Sequence, residues 1–123
     1  MIVGHVNQRI EAIIPITIRN ALLRDVTLDA IIDTGFSGYL SLPLATITAL
    51  QAPLIETRPF SLGNNVRVDF DLYGATIVWD GQERDILVLA SEAHPLVGMS
   101  LLNGFRITID AIDGGQVYIE ARP

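Results

Sequence analysis

Asp33, Thr34 and Gly35 put a carboxylate, a hydroxyl and a residue without a side chain in direct succession, at the end of the apolar run Ala30-Ile31-Ile32. A carboxylate can take a proton from water or return one to a substrate. The β-branched residues before it read as a strand, so Asp33 stands where that strand breaks into a turn. The Thr34 hydroxyl can donate and accept at once. Gly35 can adopt backbone angles closed to other residues, so the turn can be tight and another backbone can come close. Asp and Gly are also ordinary turn residues, and chance supplies Asp-Thr-Gly in roughly one chain in fifty of this length. The tripeptide therefore needs support from its surroundings.

The flanks supply it. Ile32-Asp33-Thr34-Gly35-Phe36-Ser37-Gly38, followed by a short strand and Leu42-Pro43, resembles the active-site block of the retropepsin-like (clan AA) aspartic proteases, in particular the small bacterial and archaeal members. Pro95-Leu96-Val97-Gly98-Met99-Ser100-Leu101-Leu102 is similar to the family's second block, two apolar residues and a glycine leading into a short helix. Between them, Phe60 to Val68 looks like the flap hairpin, and Ala75 to Gly81 like the strand and turn after it. The order and spacing of these blocks fit along nearly the whole chain. Ser37 and Met99 depart from the retroviral pattern, which has an Asp and an Arg at those two places. Losing one member of an ion pair strands a charge, whereas losing both removes the problem.

The resemblance implies a mainly β, retropepsin-like closed barrel (the acid protease fold) with one or two short helices, spanning residues 1–123 as one domain and assembled as a two-fold homodimer. It implies an aspartic endopeptidase acting on extended polypeptides. Aspartic proteases use two carboxylates, one to activate water and one to protonate the scissile carbonyl, and the shared proton of the pair is known behaviour of this enzyme class. This chain has one such motif, so the second Asp33 must come from another copy across a two-fold axis. Asp33 is then the catalytic residue, with Thr34, Gly35, Val97 and Gly98 as its support. Gly35, Phe36, Ser37, Leu62, Gly63 and Asn64 are the expected substrate contacts, the last three at the flap tip. The competing readings are a peptide- or protein-binding dimer without turnover, and an unrelated small β-barrel carrying the tripeptide by coincidence.

The elements that must position these residues are mostly strands. Glu11 to Arg19 and Asp25 to Ile32 are rich in Ile, Val, Thr and Leu and can close a hairpin through Asn20 to Arg24. Pro43 suits a helix start, and Leu44 to Gln51 has helical apolar spacing until Pro53. Val66 to Trp79 predicts a long strand, with Val66, Val68, Phe70 and Leu72 on one buried face. Asp80-Gly81 is a two-residue hairpin turn leading to the apolar strand Ile86 to Ala90. A last hairpin, Phe105 to Ile109 with Gln116 to Glu120, turns at Asp113-Gly114-Gly115. Trp79 is expected in the core.

Composition bounds the function. A chain of 123 residues makes one domain. Half its residues are hydrophobic, which points to apolar surface reserved for a partner or a groove. The eight basic residues, all Arg, face 14 acids for a net charge of −6 and are scattered singly, so nucleic acid is not an expected partner. There is no cysteine for a disulfide or thiolate site, and His5 and His94 form no short ligand motif, so neither metal nor cofactor is expected. No signal peptide is read, and the apolar stretch Ala12 to Ile18 is far shorter than the ~20 residues of a membrane helix. The expectation is a cytoplasmic protein that does not engage membranes.

Overall fold

The computed structural model describes residues 1–61 and 63–123. Six strands and a helix make up the first part of the chain: β1 (Ile2–Val6), β2 (Ala12–Arg19), β3 (Asp25–Ile32), β4 (Leu40–Pro43), α1 (Leu44–Leu50), β5 (Leu54–Ser61) and β6 (Arg67–Trp79). Then follow β7 (Gln82–Ser91), β8 (Leu96–Val97), α2 (Met99–Leu102), β9 (Phe105–Ile109) and β10 (Gln116–Ala121). The protein is mainly β, as its β-branched runs require.

Turn chemistry sets the hairpins. The β2–β3 connection is held by Asn20, whose Oδ1 accepts from the Leu22 and Arg24 amides at 2.9 and 3.1 Å. Asp80 and Gly81 take φ of 49° and 80°, the paired positive angles that a two-residue turn needs to match strand twist. Gly114 turns the β9–β10 hairpin at φ 80°. Helix α1 follows Pro43, buries Ile47 and Leu50, and stops on Gln51 in the left-handed region at φ 56°.

The strands lie in the order β5-β6-β7-β4-β8-β3-β2-β1-β10-β9. Strand β6 pairs with β2 as well as β7, so the pairings run round from β6 through β7, β4, β8, β3 and β2 back to β6. Inside lie Ile14, Ile16 and Ile18 of β2, Leu40 and Leu42 of β4, Ile77 and Trp79 of β6, and Leu101 and Leu102 of α2. Trp79 is in this core, edge-on to Phe105 with ring centroids 5.7 Å apart. Arg19 ties three strands at the surface by bonding Asp25 at 3.1 Å and also Glu83; its hydrogen bond to Asp25, then that to Glu83, raises its pKa.

Two features depart from the sequence reading. Ile2–Val6 forms a strand between β2 and β10, where no element was expected. Val66 and Val68 are exposed although Leu72 is buried. The reason is topological: residues 67–71 pair with β5 alone, while β7 pairs with β6 only from Leu72 onward. The first half of β6 and β5 together form a two-stranded arm.

Candidate active site

Strand β3 delivers the chain to Asp33, and β8 fixes it there. Ile31 and Ile32 run parallel to Leu96 and Val97, while β4 flanks β8 on its other side in antiparallel register. The segment joining β3 to β4, Asp33 to Tyr39, must therefore cross over the chain leaving β8. The Asp33 amide donates to the Val97 carbonyl at 2.9 Å. Beyond the crossing, Gly98 N–H donates to Tyr39 O at 3.0 Å, Met99 N–H to Phe36 O at 2.8 Å, and Ser100 N–H to Gly38 O at 3.2 Å. The Ser100 hydroxyl adds a bond to Ser37 O at 2.5 Å.

This crossing explains Gly98. A Cβ there would fall 2.2 Å from Gly38 O, 2.6 Å from Phe36 Cδ2 and 2.8 Å from Phe36 O. The two chain segments touch backbone to backbone. The Phe36 ring covers the crossing, since a Cβ on Gly38 would lie 2.5 Å from its Cζ. Gly35 differs. Its φ is not positive, and an added Cβ would meet Asp33 Oδ1 at 3.2 Å and no other described atom within 4 Å. Its own chain thus makes a small demand for glycine, and the absent side chain leaves space over the carboxylate.

Asp33 is half-buried, and its Oδ1 accepts from Gly35 N–H at 2.9 Å. That local bond orients the carboxylate without consuming it. Thr34 is exposed and lines a groove of about 370 Å³ with Ile10, Ile32, Ile109 and Ala111 among its walls. Phe36 and Ser37 turn the other way, into a cavity of about 170 Å³ shared with Arg58 and Phe60 of β5 and Leu72 of β6. The arm therefore faces the loop that follows Asp33 through Arg58 and Phe60 of β5. Gly63 and Asn64 are exposed at its tip, where Asn65 takes φ 63° and Val66 N–H reaches Asn64 Oδ1 at 3.4 Å. Leu62, also expected at the tip, lies outside the described residues. Val97 and Gly98 are buried behind Asp33.

A larger cavity of about 610 Å³ lies beyond Tyr39, walled by Ile18, Leu50, Pro53, Ile55 and Gly74. Its charged members are already engaged, Arg19 with Asp25 and Glu83 and Asp85 with the Thr76 hydroxyl at 2.7 Å. The smaller cavity is lined by Phe36 and Ser37 of the loop that carries Asp33 and is the better placed for chemistry. Sequence reasoning missed Ser100 and Arg58. Ser100 carried a weak signal, a hydroxyl two residues after the glycine of the second block; Arg58 carried none.

Strand β8 is thus threaded between β3 and β4 beneath the loop that joins them, and that loop carries the Asp33-Thr34-Gly35 turn. No family model matches the sequence, and no curated protein matches it. Solved structures do. A retropepsin-like aspartic protease from Rickettsia conorii aligns over 98% of this chain and 92% of its own, at 21% identity and a TM-score of 0.64. The protease of Simian Foamy Virus (mac) aligns over 72% of this chain and 90% of its own, at 22% identity and a TM-score of 0.50. The chain has the retropepsin-like fold.

Proposed function

We propose that the protein is a homodimeric aspartic endopeptidase, a single domain over residues 1–123 with its strand ring closed as a barrel, that hydrolyses peptide bonds in extended polypeptides. The observation that carries this reading is the half-buried Asp33 carboxylate, held at the β3–β8 crossing in a fold shared with aspartic proteases. A lone carboxylate can act as base but cannot also supply the second proton, so one chain is half a site. A two-fold axis beside Gly35 brings the Asp33 of a second chain alongside, and the pair shares a proton because two like charges at about 3 Å cannot both ionise.

Two surface features support the second copy. The missing side chain at Gly35 leaves room that its own chain does not fill. Beside Thr34, Ile10 and Ile109 are 53% and 41% exposed, and Ile112 just beyond is 67% exposed, an apolar border that a partner would cover. Apolar contact there takes the role that the ion pair absent at Ser37 and Met99 cannot play. In this reading Thr34 bonds across the axis, Val97 and Gly98 form the floor, and Phe36 and Ser37 contact substrate with Gly63, Asn64 and Leu62 of the arm.

Asp33→Asn tests the proposal, because it preserves shape and removes the titrating group. Peptide hydrolysis should fall on the order of a thousandfold or more, with the sedimentation coefficient still that of a dimer. Undiminished hydrolysis in the variant, or a wild-type protein that stays monomeric at high concentration, would overturn it.

A further inference from the structure

We propose that Arg58 makes the protein select polypeptides with an acidic residue, glutamate above all, at the position whose side chain enters the cavity beside Phe36. As a cleavage preference this rests on the reading of Asp33 above; as a binding preference it stands without it.

The cavity has room for one side chain. At about 170 Å³, it is walled by Phe36, Leu40, Phe60, Leu72, Leu87 and Leu89, and Arg58 is its one charged member among the described residues. A mainly apolar wall, with Ser37, Tyr39 and Ser100 as its uncharged polar members and Arg58 as its cation, is suited to a side chain with an aliphatic stem and an anionic tip. Glutamate supplies two methylenes for the wall and a carboxylate that the guanidinium can grip with two parallel bonds. Leucine meets the wall and leaves the cation unused, and lysine meets like charge.

Arg58 is already paired, and the kind of pair matters. Glu56, Arg58 and Phe60 sit two residues apart on β5 and so share one face of the strand. Phe60 turns into the cavity, and Arg58 bonds Glu56 further out. The side chains of Arg58 and Glu56 are 49% and 41% exposed, so water screens their attraction and the pair holds weakly. A substrate carboxylate entering from the apolar side meets the same guanidinium with less water around it, where charge-assisted bonds are stronger. Glu56 then returns to solvent at small cost. It holds the arginine at the rim until an acidic side chain replaces it.

The test uses fluorescein-labelled octapeptides of alanine, valine and serine that carry Glu, Gln, Leu or Lys at each position in turn. Their binding to the Asp33→Asn protein is followed by anisotropy and their cleavage by the wild-type protein by mass spectrometry. At one position the Glu peptide should bind about tenfold tighter than its Gln and Leu counterparts, and the advantage should shrink with salt. Arg58→Met, which keeps the stem, should abolish the advantage, Arg58→Lys should keep part of it, and Glu56→Gln should enlarge it. Equal binding of Glu and Leu peptides, or a Glu preference that survives Arg58→Met, overturns the proposal. Cleavage without Glu preference overturns it and leaves the aspartic-protease reading standing. Arg58-dependent Glu binding with no cleavage does the reverse. If no peptide is bound or cut, both fall.

Discussion

The Asp33–Tyr39 loop and the β5–β6 arm line one cavity, yet they are held by opposite means. The loop straddles β8 and is tied from outside itself, through Val97, Gly98, Met99 and Ser100. The arm is tied to itself. Residues 67–71 pair with β5 alone, and its aromatic contact, Phe60 edge-on to Phe70 at 5.6 Å, stays within the hairpin. A group that must keep its geometry through a proton transfer belongs on the first kind of support. A segment that must admit a polypeptide and then cover it belongs on the second, because two strands without a third are marginal when left to themselves. On the proposed reading, the loop is the support for chemistry and the arm is the segment suited to access.

Gly98→Ala is the sharpest way to break that contrast. The added methyl would sit 2.2 Å from Gly38 O, backbone against backbone, with no flexible side chain able to yield. Either β8 leaves β3 and β4, or the loop lifts and Asp33 moves with it. Urea unfolding should show a loss of about 3 kcal/mol or more, and peptide hydrolysis should disappear even where the protein remains folded. A variant with wild-type stability and turnover would mean that the crossing is not what holds the carboxylate.

Ser100→Ala makes a smaller cut in the same support. It removes the hydroxyl bond to Ser37 O and leaves the Ser100 amide bond to Gly38 O in place. The stability cost should be about 1 kcal/mol. If Ser100 positions the loop, kcat should fall while KM stays near its wild-type value, and Ser100→Thr, which restores a hydroxyl, should recover much of the rate. A fall in stability with kcat unchanged would reduce Ser100 to a packing residue.

The same contrast explains what could be read from the sequence. The Asp33 turn, the β2–β3 hairpin and the Asp80-Gly81 turn were legible because each depends on neighbours in sequence, β-branched runs before and turn residues after. Alternation at Val66, Val68, Phe70 and Leu72 was also legible, but it predicted a burial that only Leu72 fully shows. Period-two patterning reports which side chains share a face, and not whether another strand arrives to cover it. Gly35 and Gly98 look alike as letters. Only the crossing, between segments about sixty residues apart, shows that Gly98 is demanded by its own chain while Gly35 leaves open space. Ile2–Val6 was missed for a related reason, since its place depends on β10 at the far end of the chain.

Gly63→Ala should have the smallest effect on stability, and its interest lies in what it separates. A Cβ at 63 meets no described atom within 4 Å. The methyl has open space and alanine restricts the unfolded chain, so stability should stay within about 0.5 kcal/mol of wild type. Turnover answers a different question. If the tip of the arm lies against substrate, the methyl stands between two backbones that would pair as neighbouring strands, and KM should rise several-fold with the unfolding curve unmoved. If KM is unchanged as well, the arm grips substrate through the Phe60 and Arg58 side chains of β5 and not through the backbone of its tip.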